Sequence, residues 1–340
     1  MAWYHVPGNE QDVVVSTRVR LSRNVAGFPF PARLDAARAR EIMALVGGIL
    51  EKNGFTKLDF EDMSRTTAYA LVEKQYVSPA FVRESLPHAV FLSEPCNLAV
   101  MVCEEDHVRL QAILPGLSLR DAMDGAFKVE ALLDEQLEFS FDERLGYLTR
   151  SPGDLGTGMR ATVLLCLPML GTTGRIEALA QSLSRMGIVW QSMEGDGSES
   201  PHLYSLSNRA TLGVSEEEIR AGLEEAVRRV VEAERRLRTT VSGAELYKLS
   251  DRVKRAEGIL HAAELLSAEE LVRLLSDLRL GAAMGILPHV KVETLTALLI
   301  EAMPAGLTLS AEEEPKSDNE RDRLRARVVR EALGACDHAG

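Results

Sequence analysis

Val13-Val14-Val15-Ser16-Thr17-Arg18-Val19-Arg20-Leu21 is the stretch from which the fold can be read. Apolar Val13, Val15, Val19 and Leu21 alternate with Ser16, Arg18, Arg20 and Ser22. That period of two predicts a strand with both arginines on its polar face. A second segment, Cys103-Glu104-Glu105-Asp106-His107-Val108-Arg109, repeats the pattern, because His107, Arg109 and Gln111 alternate with Val108, Leu110 and Ala112. Arg109 then leaves its strand just beyond a turn that carries Glu104, Glu105 and Asp106. In a third, Arg160 ends the glycine-rich turn Gly153-Asp154-Leu155-Gly156-Thr157-Gly158 and opens another apolar strand. Cations on sheet faces invite a polyanion, and carboxylates at a nearby turn invite a cation.

Composition narrows the possibilities. At 340 residues, 46% hydrophobic and 26% charged, the chain is globular and predicts roughly two domains. A formal charge of -12 disfavours nucleic acid and anionic membranes as partners and suits a basic protein or peptide. Cys96, Cys103, Cys166 and Cys336 contain no C-x-x-C spacing, which argues against structural zinc and a disulfide framework. No leader-like N-terminus and no apolar run of membrane-spanning length are present, so the expectation is a cytoplasmic protein.

Up to about residue 213 the pattern is mixed, with strands expected at 13–21, 89–92, 98–102, 108–114, 162–167 and 188–191, and a helix over 34–51. From Ser215 onward it is helical. Ser215 with Glu218, and Ser267 with Glu270, read as capping boxes, and helices are expected over 246–260, 267–280, 292–303 and 320–333. The fold class is therefore α+β over 1–243, followed by a smaller all-helical domain over 244–340.

An isolated R-x-R reads as the solvated face of an edge strand, and an isolated E-E-D as a charged hairpin turn. Arg109 and Arg160 shift the balance towards phosphate, because planar guanidinium donors pair two oxygens at once. Neither G-x-x-x-x-G-K-[ST] nor G-x-G-x-x-G is present, so arginines rather than a helix N-terminus would hold a nucleotide. A second acidic loop, Glu194-Gly195-Asp196-Gly197-Ser198-Glu199, is equally compatible with a surface loop and a site.

The segments S-T-R-V-R-L-S-R-N, C-E-E-D-H-V-R, G-T-G-M-R-A-T and R-D-R-L-R-A together resemble the ATP:guanido phosphotransferase family over nearly the whole chain. The resemblance implies a catalytic domain built on an antiparallel sheet flanked by helices, and the helical C-terminal domain matches the family's protein-directed branch. The resemblance implies transfer of the γ-phosphoryl group of ATP, with Mg2+, to arginine side chains of other proteins. It implies nucleotide contacts from Ser16, Thr17, Arg18, Val19, Arg20, Gln75, Arg109, Arg160, Ala161, Thr162, Val163 and Leu164. Gln191, Ser192, Met193, Glu194, Gly195 and Asp196 would form a loop closing over the site. Glu105 and Asp196 would grip the substrate guanidinium, Glu104 would face the metal's water shell, and no dedicated metal site is expected. Arg321, Asp322, Arg325 and Ala326 match an element that binds phosphoarginine away from catalysis.

The chain departs from the family pattern at several positions. Ser151, a catalytic position by the resemblance, stands where the family has a cysteine thiolate beside the guanidinium, Asp196 replaces a glutamate, Gln191 an arginine, Gln75 a histidine and Cys103 an asparagine. Substrate proteins with exposed arginines, a homodimer, a heat-shock repressor and a Clp-type unfoldase are the implied partners. A kinase for free arginine or another small guanidine, or a weakened phosphoarginine-binding adaptor, are the alternative readings.

Overall fold

The computed structural model describes residues 2–95, 97–193 and 202–337, with side chains to 334. Its strands are β1 (Val14–Arg23), β2 (Thr56–Asp59), β3 (Ala89–Leu92), β4 (Leu98–Val102), β5 (Val108–Pro115), β6 (Phe141–Asp142), β7 (Gly146–Tyr147), β8 (Met159–Cys166), β9 (Ile188–Ser192) and β10 (Leu203–Asn208). Eight form one sheet in the order β2-β3-β4-β5-β1-β8-β10-β9, with every pairing antiparallel, and β6 with β7 makes a small hairpin. The arginine strand β1 lies at the centre.

Period-two alternation divides the sheet into two faces. Val19 lies opposite Ala112 and Ala161, and Leu21 opposite Leu110 and Met159, all buried. They pack against α1 (Ala36–Lys52), α3 (Leu119–Asp134) and α6 (Glu216–Thr240). Burying Val19 and Leu21 contributes about 1.5–3 kcal/mol each. The alternation breaks between Val14 and Ser16, where a register shift leaves Val15 in a small cluster with Leu164 and Cys166. Arg23, also on the helix-covered side, is fully buried. Its Nε donates to Glu130 at 2.5 Å, and its guanidinium lies 3.5 Å from the centre of the Tyr147 ring.

The first half also holds α2 (Arg65–Glu73), α4 (Pro168–Thr172) and α5 (Ile176–Arg185). The helical half consists of α7 (Gly243–Ala262), α8 (Ala268–Ala283), α9 (Val292–Glu301), α10 (Pro304–Ser310) and α11 (Asp318–Asp337). Val253, Leu260, Leu274, Leu278, Leu298, Ala326 and Val329 build a second core there. The capping box on α6 forms in full, whereas at Ser267 only its first half forms, the hydroxyl accepting from the Glu270 amide. The helix expected over 292–303 ends at Glu301, and Pro304 begins α10, since proline cannot donate within a continuing helix. The halves are tied by the Glu73 carboxylate, which accepts from Ala305 N at 2.8 Å and Gly306 N at 2.7 Å. No single helix among the described residues is long and apolar enough to cross a membrane.

Candidate active site

The register brings the sequence-predicted arginines together. Arg20 lies directly opposite Arg160 on β8, while Ser22 lies opposite Arg109 on β5. Arg18, one pleat along, faces Thr162. Like charges facing one another across strands are destabilising. Burial, and then the charges of Arg18 and Arg109, push the Arg20 guanidinium down to about 9, with Glu104 partly opposing. Arg18 is pushed down by burial and by Arg109. Guanidinium groups do not deprotonate in proteins at neutral pH, so the direction of both shifts shows that burial first, and neighbouring cations second, disfavour the charges on this ligand-free face. A polyphosphate relieves that repulsion.

The acidic turn is rigid. Cys103 takes a left-handed conformation, φ 64°, and its N–H donates to His107 O at 2.8 Å. Burial, reinforced by Glu84, raises the Cys103 thiol to about 12, so it is no nucleophile. Glu104 is buried. It accepts from the Ser78 hydroxyl and lies 2.5 Å from Arg109 Nη1. Glu105 is 42% exposed and accepts from Arg109 Nη2 at 3.0 Å. Arg109 therefore sits between the two carboxylates, one buried and one exposed.

Asp106 and His107 fix this turn from behind. Asp106 Oδ1 accepts from Asn24 Nδ2 at 2.7 Å and Arg150 N at 2.8 Å. That second bond joins the acidic turn to the residue before Ser151. His107 Nδ1 accepts from Val25 N, and its Nε2–H donates to Pro29 O at 2.8 Å, which fixes a neutral tautomer. Burial lowers its pKa. Asn24 completes the clamp, donating to Leu148 O and accepting from His107 N.

Arg160 donates to Asp154 at 2.7 Å and to the carbonyls of Gly153 and Asn208. The glycines beside it serve the chain's own packing. A Cβ on Gly156 would lie 2.3 Å from Thr211 O, and one on Gly158 2.6 Å from Arg23 Nη1. Close approach, expected for a ligand, is here to the protein itself. Ser151 caps no bond with its hydroxyl, but its carbonyl accepts from Thr149 Oγ1 and Asp154 N.

Other predicted contacts divide by face. Thr17, Val19, Ala161 and Val163 pair with one another on the helix-covered side, so their side chains lie away from the arginines. Ser16, Thr162, Leu164 and Gln191 follow the arginine face through β8, β10 and β9. Gln75, φ 62°, offers its carbonyl to Gln111 Nε2 at 2.6 Å. Ser192 ends β9, and Met193 beyond it is exposed. Glu194, Gly195 and Asp196 lie outside the described residues.

In the C-terminal element Arg321 pairs with Asp318. Arg325 is buried, donating to Ala302 O at 2.8 Å, Leu266 O at 2.7 Å and Asp322 at 2.5 Å, while Ala326 is packed in the second core. Arg321 and Asp322 are the more accessible pair, and α11 presents no open space at Ala326.

The family model described as ATP:guanido phosphotransferase, C-terminal catalytic domain, matches residues 40–237. The chain belongs to the ATP:guanido phosphotransferase family. A second model, the protein-arginine kinase McsB C-terminal domain, matches residues 246–340. This guanido kinase is 39% identical to a protein-arginine kinase of Symbiobacterium thermophilum over 98% of its length and 96% of the relative's. It is 38% identical to one of Syntrophomonas wolfei, over 98% and 95%. Among solved structures, the substrate-free duplicated taurocyamine kinase of Schistosoma mansoni shares the fold with TM-score 0.61 and 24% identity, covering 78% of this chain and 40% of that one. Lombricine kinase does so with TM-score 0.61 and 21% identity, covering 69% and 70%.

Proposed function

We infer that this chain is a protein-arginine kinase, transferring the γ-phosphoryl group of ATP to arginine side chains of other proteins. The observation that carries the reading is the convergence of Arg18, Arg20, Arg109 and Arg160 on one sheet face beside the Glu104–Glu105 turn. In a loose phosphoryl-transfer transition state charge lies on the equatorial oxygens, so positioned cations do most of the work. Glu105 accepts the guanidinium proton as the N–P bond forms, because a free guanidinium is not neutral beforehand. Its exposure suits that role better than buried Glu104.

Among the described residues no group of three ligating side chains surrounds an ion position. The nucleotide phosphates would hold Mg2+, with Glu104, 2.5 Å from Arg109 Nη1, facing its water shell. Asp196 would share the guanidinium with Glu105. The remaining parts of the reading rest on the family likeness: a cytoplasmic homodimer, a heat-shock repressor and Clp-type unfoldase as partners, and phosphoarginine bound at Arg321, Asp322, Arg325 and Ala326. For that last site Arg325 must first release the Ala302 or Leu266 carbonyl. Incubation with labelled MgATP and either a basic protein or free arginine tests the function. Acid-labile phosphoarginine found by mass spectrometry on the protein is expected. Transfer to free arginine alone points to a small-guanidine kinase, and acid-stable label on Ser or Thr rejects the assignment.

A further inference from the structure

A cleft separates α4 and the start of β10 from α7 and α8. It holds two adjoining cavities of about 590 and 400 Å³ that share Thr172 and Arg252. His202 and Gly171 line the smaller from the catalytic half, and Arg252, Arg273 and Asp277 from the helical half. Nothing in the phosphoryl-transfer chemistry uses these groups.

Two features distinguish the cleft. Arg252 Nε and Nη2 are shielded from solvent yet make no hydrogen bond. Nε lies 3.1 Å from Asp277 Oδ1, a charge contact without hydrogen-bond alignment. Arg273, one turn before Asp277 on α8, has no hydrogen bond or ion pair among the described residues. Both cations act on Asp277, whose carboxyl burial pushes up while Arg252 and Arg273 pull it back. A buried donor left without an acceptor is destabilising, so Nε and Nη2 of Arg252 favour a ligand oxygen. Two guanidiniums against one buried carboxylate leave the cavity positive, and their forked donors match a tetrahedral oxyanion.

We propose that this cleft binds a phosphoryl dianion between Arg252 and Arg273, bridging the catalytic and helical halves. The dianion is supplied either as inorganic phosphate or, if the kinase reading holds, by phosphoarginine. In the second case Asp277 pairs the guanidinium adjoining the phosphoryl group. The site is separate from Arg321 and Asp322 on α11.

Calorimetric titration of the full chain with inorganic phosphate, in the presence of MgADP, tests the site in wild type, Arg273→Gln and Arg252→Gln. Any binding at the catalytic arginines or on α11 is common to all three proteins, so differences between isotherms report the cleft. Arg273→Gln breaks no native bond, and an unchanged melting temperature without ligand verifies that the fold is intact. We expect phosphate binding at least tenfold weaker in Arg273→Gln, with phosphoryl transfer to protein retained. Phosphoarginine titrated in parallel separates the sources. Tighter binding than phosphate, with the margin lost in Asp277→Asn, assigns the site to phosphoarginine, and equal affinity assigns it to free phosphate. Identical isotherms in wild type and both arginine variants, or no binding to wild type, overturn the proposal.

Discussion

Replacing Arg20 with methionine should stabilise the ligand-free protein while weakening its hold on nucleotide. Arg20 faces Arg160 across the strand pair, lies near Arg18 and Arg109, and has no hydrogen bond or ion pair among the described residues. Its guanidinium falls from an ordinary value above 12 to about 9. Three decades at about 1.4 kcal/mol each correspond to roughly 4 kcal/mol of unfavourable environment. Solvent screening in a half-open site cuts what can be recovered to about 1–2 kcal/mol. Methionine keeps the apolar stem and removes the charge. Urea or thermal denaturation, with and without MgADP, measures the effect. At a hundred times its Kd, MgADP adds about 2.7 kcal/mol to the wild type. It should add little to the variant, so the order of stabilities reverses on ligand addition. A ligand-free Arg20→Met protein less stable than wild type, or equally stabilised by MgADP, would refute the reasoning.

Glu105→Gln should cut phosphoryl transfer by about 10²–10⁴, while nucleotide affinity holds or rises because Arg109 loses a competing carboxylate; unchanged turnover would place the base elsewhere. Ser151→Cys, tethered to the acidic turn through Arg150 and Asp106, should raise activity or shift its pH profile, since a thiolate adds negative charge beside the substrate guanidinium; a superimposable profile would show a pocket organised around serine. His107 is held neutral with its pKa below the ordinary 6.5, so between those values the unfolded chain binds the proton more strongly. Its contribution is therefore complete above pH 6.5 and lost as pH falls below it, and urea midpoints from pH 7 to 5 should drop more steeply for wild type than for His107→Asn.

Period-two alternation on β1 and β5 placed Arg18, Arg20 and Arg109 on strands, and the capping box at Ser215 placed the start of α6, because both signals are local and repeat along the chain. β10 was not legible: Leu203-Tyr204-Ser205-Leu206-Ser207-Asn208 is short and serine-rich, and it becomes a strand through pairing with β8 and β9. Thr17, Val19, Ala161 and Val163 show the same division. Alternation along β1 already turns Thr17 and Val19 away from Arg18 and Arg20, whereas which β8 side chains meet them on that face follows from register. The clamp of Asn24, Asp106, His107 and Arg150 joins residues up to 126 positions apart, Asn24 to Arg150, through hydrogen bonds that no spacing rule encodes. Sequence alone determined which charges this protein carries and the local elements that present them. Tertiary structure decided which charges meet, because the mutual repulsion of Arg18, Arg20, Arg109 and Arg160, and the pairing of Arg109 with two carboxylates, exist only once β5, β1 and β8 lie side by side.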